Sequence, residues 1–395
     1  MAAALTPATA RQAFVRSAVR ECMRLRADPW DLAMATWIPL LALALFAWMF
    51  GAGVPRALPV AVVDHDNSVM SRELVRMIDA APGLQVAARP ADMQQAWAAV
   101  RAAEVYAVVH VPEGSGREIL RGGSAVVFAY YNASHQTAGQ AAERGIGDAV
   151  QAAGERFVRA DVARIRGPDA VRAPPLRVQA TVLANAARSY EHFLLGLLFP
   201  ALLYLAACLA MVSALGRELR DGTAGEWLQS CGDRLLPAVA GKLAPYLLLF
   251  TVHGTGSLVW LAAIRGGVAG SAALLLAAQA GLYLASAGIA LLLVGATRNL
   301  GVALSVTGLY AGTALAFSGA TFPMQGAPLF AQAWSRLLPL TPYLKLQVQQ
   351  LELGADWTAS LPTVGGLLLF MLVAGGIGLV LYGRGARDPA AWGQR

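Results

Sequence analysis

The sequence predicts a polytopic α-helical membrane protein with six transmembrane helices and an inserted α/β extracytoplasmic domain. Three observations predict it. The 395 residues are 57% hydrophobic and 14% charged, where an ordinary soluble domain carries about 25% charged residues. Six separate stretches are each apolar over about 20 residues, the length a helix needs to cross a bilayer core. Between the first and second of them lies a segment of ordinary polarity, 52–191, in which strand-like and helix-like patterns alternate. A soluble chain this apolar could not cover its surface with polar groups, and a disordered chain would not be this apolar.

Residues 1–31 read as a cytoplasmic amphipathic helix lying in the membrane interface. Phe14, Ala18, Cys22 and Leu25 share one face, and Arg16, Arg20 and Arg24 another. A helix packed on protein is the alternative. The first span, Leu32 to Gly51, reads as an uncleaved anchor, because it is long and has no Ala-x-Ala site. The later spans are Phe193–Leu215, Leu243–Ile264, Val268–Thr297, Leu300–Gly319 and Leu361–Tyr382, all within region 192–395. Pro39, Pro200 and Pro245 fall inside spans, where packing neighbours make proline tolerable.

In 52–191, Leu58–Val63 is apolar and β-rich and runs into Asp64-His65-Asp66-Asn67-Ser68, a turn that caps a helix at Val69–Ala80. The cluster is not a calcium loop, since Val69 stands where glycine is required. Further strands are expected at Leu84–Ala88, Val105–Val111, Ala125–Tyr131 and Arg177–Val182. Helices are expected at Ala91–Ala103, Ser115–Arg121 and His135–Ile165.

The formal charge is +7, from 31 basic and 24 acidic residues, and only Lys242 and Lys345 are lysines. Short segments on one side of the spans hold thirteen basic residues, Arg217, Arg220, Arg234 and Lys242 among them; Arg265, Arg336 and Lys345 face the other side. By the positive-inside rule both termini are cytoplasmic and 52–191 is extracytoplasmic. The charge then marks topology and anionic-lipid contact rather than nucleic-acid binding.

Nucleotide-cradling and hydrolytic motifs are absent. Gly241-Lys242 is followed by Leu243, so no phosphate loop forms, and there is no HExxH or GxSxG. Cys22, Cys208 and Cys231 lack metal-ligand spacing and read as small apolar fillers. His253 lies inside a span, either functional or simply hydrogen-bonded between helices. No cofactor is expected to bind the chain directly.

Two connections remain. Residues 216–242 form a charged cytoplasmic loop with an amphipathic stretch. Residues 320–360 form two short apolar helices broken by prolines, too short to span and suited to an external hairpin.

Three segments together, in order and with six spans, resemble the ABC-2 class of ABC exporter permeases, in the branch with a large extracytoplasmic insert after the first span. Leu58–Leu74 is similar to that family's VVDxDxS and LSRxL opening. Arg217-Glu218, Gly222-Thr223 and Glu226-Trp227-Leu228 are similar to its RExxxGTxExL coupling region, except that Ala224-Gly225 adds a residue before Glu226. Phe317-Ser318-Gly319, Phe322-Pro323 and Leu338–Pro342 are similar to the segment before its last span. The resemblance implies that a separate cytoplasmic ABC ATPase binds ATP and docks near Arg217, Glu218, Gly222, Thr223, Glu226 and Trp227. Phe322, Pro323, Pro339 and Pro342 would shape an external gate. It also implies pairing with a second permease copy or paralogue, contact with a periplasmic adaptor protein, and export of drugs or other amphiphiles. A membrane-anchored extracytoplasmic binding or sensor protein is the competing reading, disfavoured by the lack of a cytoplasmic signalling domain. A polytopic membrane enzyme is disfavoured by the missing acid/base and metal motifs.

Overall fold

The computed structural model describes residues 9–51, 57–81, 83–102, 104–121, 125–131, 136–157, 190–321, 324 and 326–393. The chain forms two compact units, Met1–Gly51 with Val182–Arg395, and Ala52–Thr181.

In the first unit, α1 (Ala10–Ala27) is opened by a reciprocal cap: Thr9 Oγ1 accepts from the Gln12 N–H, and Gln12 Oε1 accepts from the Thr9 N–H. The face it buries is Ala13, Ser17, Glu21 and Leu25. Of the face expected to be apolar, Leu25 is buried while Phe14 and Cys22 are exposed. The buried face brings Glu21 to Lys242 and to the Tyr246 hydroxyl.

The first apolar stretch is broken. α2 (Pro29–Ala35) and α3 (Trp37–Phe50) meet at Thr36 with a bend of 41°. Pro39 has no N–H for the Ala35 carbonyl and its ring crowds that oxygen. The Thr36 hydroxyl turns back to donate to the Leu32 carbonyl.

Among the described residues, four helices are long and apolar enough to cross a membrane: α8 (Tyr190–Arg220), α10 (Leu235–Arg265), α11 (Ala272–Thr297) and α15 (Trp357–Arg387). The α2–α3 pair passes as a fifth if taken as one span. The fifth predicted stretch, Leu300–Gly319, differs from expectation. α12 spans Leu300–Gly312, 13 residues or about 20 Å of helix, shorter than a bilayer core of about 30 Å. Past it the Thr313 hydroxyl donates to the Leu309 and Tyr310 carbonyls, and the chain continues in turns. α10 begins eight residues before the predicted span and so takes Lys242 into a helix.

The core of this unit is aromatic where the helices cross, with Tyr204, Tyr246, Phe250, Tyr283 and Tyr382 fully buried. One end of the unit is tied by α13 (Leu329–Arg336), α14 (Leu340–Gln347) and a π turn, Val348–Glu352. The Arg265 guanidinium donates to the Leu351 and Glu352 carbonyls, Gln350 Oε1 accepts from the Ser271 N–H at 2.9 Å, and Gln347 Nε2 donates to the Gly196 carbonyl at 2.7 Å. Side chains thus take up polar groups that the wide turn and helix ends leave over.

The second unit is a four-stranded mixed sheet in the order β2-β1-β3-β4, from β1 (Leu58–Asp64), β2 (Leu84–Ala88), β3 (Ala107–Val111) and β4 (Phe128–Tyr131). β1 runs parallel to β2 and β3, and β4 is antiparallel to β3. The alternation of each strand sets the layers. Val60, Val62, Val109 and Val111 face α4 (Val69–Ala80) and α7 (Gln136–Phe157), while Ala61, Val63 and Val108 face α5 (Met93–Arg101). Between β3 and β4 lies α6 (Ser115–Leu120). Asp64 Oδ1 accepts the N–H groups of Asp66 and Asn67, and Asp66 Oδ2 accepts that of Gly116, so both carboxylates serve as turn acceptors. The strand expected at Arg177–Val182 lies outside the described residues, as does the end of the helix expected to reach Ile165.

Candidate functional site

α8 does not stop at the predicted end of its span but runs on to Arg220, so Arg217 and Glu218 sit on its last turn. Gly222, with φ of +69°, supplies the left-handed residue that turns the chain out of the helix. Thr223 then opens α9 (Ala224–Ser230), a short helix set between α8 and α10.

This turn places the Glu218 side chain, fully buried, among four donors. Oε1 accepts from Arg24 Nη1 and Lys242 Nζ, each at 2.9 Å; Oε2 accepts from Arg20 Nη2 at 3.2 Å and from the Thr223 hydroxyl. Lys242 also donates to Glu21 Oε2, and Tyr246 OH donates to Glu21 Oε1 at 2.8 Å. Trp227 is buried beside them, its ring 5.4 Å from Lys242 Nζ and its Nε1 donating to Ser17 Oγ at 2.9 Å. Asp221 closes the cluster on the exposed side, accepting from Arg24 Nη2 at 2.7 Å. Partial burial pushes the Asp221 carboxyl up, but the hydrogen bond and charge of Arg220, with Arg24 beside it, outweigh this and hold it below the usual carboxylate range.

Three carboxylates, Glu21, Glu218 and Asp221, are therefore matched by four cations, Arg20, Arg24, Arg220 and Lys242. Isolated buried ions would cost several kcal/mol each, on the order of the whole stability of a domain. Matched and hydrogen-bonded, they lock α1, α8, the start of α9 and α10 into one arrangement.

Of the residues singled out in the coupling region, the structure brings together Glu218, Thr223 and Trp227. Arg217 turns the other way, pairing with Asp31 and lying 3.8 Å from Asp28 on the α1–α2 side. Glu226 is exposed in the first turn of α9. Glu21, Ser17 and Tyr246 were not anticipated. Their signals were faint but present: Glu21 is the one acid on α1, and Lys242 is one of two lysines among 31 basic residues.

Of the four residues expected at an external gate, two are among the described residues. Pro339 is the N-cap of α14, and Pro342 lies in its first turn, where a missing N–H costs no helical bond. Phe322 and Pro323 lie outside the described residues. No curated protein and no solved structure matches the chain. Residues 29–380 match the family described as ABC-2 family transporter protein. With a match over most of its length and with helices long enough to cross a membrane several times, the chain belongs to the ABC-2 family, as a multi-pass transporter permease.

Proposed function

We propose that the chain is the membrane subunit of an ATP-driven exporter of drugs or other amphiphiles, powered by a separate cytoplasmic ABC ATPase. The observation that carries this reading is the buried charge cluster around Glu218. α9 is short, and its Glu226 and Gln229 are exposed. Directly behind it, Glu218 and Thr223 tie its start to α1, α8 and α10. A push on α9 is not absorbed locally, because moving it alone would take the Thr223 hydroxyl from the buried Glu218 carboxylate, at a cost of about 1.5–3 kcal/mol, and Trp227 from Ser17 and Lys242. The push is passed to α8 and α10, two of the helices able to cross the membrane. The ATPase docks on the α1–α9 face; ATP stays on that partner, and no cofactor binds this chain.

In this reading the chain sits in the bacterial inner membrane with its termini in the cytoplasm. Unit Ala52–Thr181 is extracytoplasmic and meets an adaptor protein, α13 and α14 shape an external gate, and a second permease copy or paralogue completes the path. The path walls, rich in Leu, Ala, Gly and Val, suit amphiphiles through burial rather than specific hydrogen bonds.

The test is co-purification of the solubilised chain with a Walker-motif ATPase, followed by vesicle export assays. The double variant Glu218→Gln, Thr223→Ala is expected to insert normally and to lose ATP-dependent export of an amphiphilic dye such as ethidium. Retained ATPase binding and retained export in that variant would remove Glu218 from the coupling path.

A further inference from the structure

Residues 388–393, which follow α15, lie beyond the family match that ends at residue 380. They fold back on the turn that carries α9. Asp388 accepts from the Ala390 N–H at 3.1 Å and pairs with Arg298 Nη1 at 3.4 Å. Trp392 Nε1 donates to the Gly385 carbonyl at 3.3 Å, and the Gly393 N–H donates to the Leu219 carbonyl at 3.0 Å. The segment therefore satisfies carbonyls at the ends of both α15 and α8. Between those two anchors the Trp392 ring lies against Gly225, in the first turn of α9. A Cβ built on Gly225 would stand 2.5 Å from the ring's Cη2, closer than any side chain can come. Gly225 belongs to the pair Ala224-Gly225, which holds one residue more than the coupling motif this sequence otherwise resembles. The ring and the glycine are a matched pair: the tryptophan needs a bare backbone there, and the departure supplies it.

We propose that Trp392 is a positioning residue for α9. Its ring, anchored at Gly385 through Nε1 while the next residue's N–H is held at Leu219, closes over Gly225 and fixes the angle at which the exposed Glu226 and Gln229 are presented. This rests on the reading that an ATPase docks on α9. Glu218 and Thr223 hold the start of that helix from behind; Trp392 holds it from the side of α15. Any side chain at 225 displaces the ring, so Gly225→Val and Trp392→Ala open the same contact, and the second change adds nothing to the first.

Two measurements test this. Hydrogen exchange on the solubilised chain alone reads the contact. Amides of Ala224–Ser230 are expected to exchange about tenfold faster in Trp392→Ala and in Gly225→Val, no faster in the double variant, and near the parent rate in Trp392→Phe. ATP turnover of the co-purified complex reads the consequence. In both single variants kcat is expected to fall about fivefold, with KM for ATP and ATPase affinity unchanged. Unchanged α9 exchange in the single variants, additive effects in the double variant, or raised exchange with an unchanged kcat overturns the proposal. If the parent chain captures no ATPase, the docking reading fails by itself, and the exchange series still decides whether the ring holds α9.

Discussion

At the scale of single residues, Lys242 carries the largest electrostatic burden in the helical unit. Its ammonium is buried and serves both Glu21 and Glu218, which belong to different helices. Lys242→Met keeps the volume of the stem but leaves two carboxylates short of a partner. We expect about 3–5 kcal/mol of lost stability, read as a lower thermal midpoint of the solubilised chain. Adding Glu21→Gln should return part of it, because one uncompensated charge is removed; a double variant no better than Lys242→Met would mean that the ion pair is not what the lysine contributes. Glu218 and Thr223 were legible in the sequence because they lie five residues apart in one motif. Glu21 was not. It meets Lys242 across 221 residues, a separation that local patterns do not encode, and periodicity drew attention to the Phe14–Cys22 face instead. The sequence places Arg20 and Arg24 on the basic face of an interfacial helix, since nothing local shows that a buried carboxylate awaits them.

At the scale of elements, boundaries were legible where a side chain caps the backbone. The Val69–Ala80 helix falls where expected because Ser68 Oγ accepts the Ser71 N–H at 3.1 Å. The bend at Thr36 and the early end of α12 were not, because apolar composition records affinity for a bilayer and not the hydrogen bonds that interrupt a helix. The strand pairing brings a second unanticipated contact. His65, just past β1, and His110, on β3, come within 3.2 Å between Nδ1 and Nε2, and His65 Nε2 contacts the Ala91 carbonyl. Burial, and then the charge of His65, lower the His110 pKa from 6.5. The folded chain thus binds this proton less readily than the unfolded one. The stability it contributes is complete above about pH 6.5 and is lost as the pH falls below it toward the depressed folded value. Amides of Ala107–Val111 should lose protection between pH 7.5 and 5.5, after correction for intrinsic rates, and His110→Gln should flatten that dependence. Equal slopes in parent and variant would assign the effect to other groups.

At the scale of the whole molecule, orientation rests on where the basic residues lie. Thirteen lie on the side of the coupling loop against three on the other, and at about 2.5–3.5 kcal/mol per charge at a bilayer centre such a bias is hard to invert. The structure sharpens what that charge does. Arg20, Arg24, Arg217 and Lys242 do not wait in solution for lipid headgroups; each is spent on a carboxylate within the helical unit. The cations that predict the orientation are therefore also internal structure of the helical unit. Cysteine accessibility tests the orientation directly. Cys208 and Cys231 are buried, so Cys22→Ser leaves a quiet background. Into it Glu113→Cys places a thiol at an exposed site of unit Ala52–Thr181, and Gln229→Cys places one on the exposed side of α9. A membrane-impermeant maleimide added to intact spheroplasts should label position 113 and leave position 229 until the membrane is opened. Labelling of 229 in intact cells, or protection of 113, would reverse the orientation and remove α9 from the reach of any cytoplasmic ATPase.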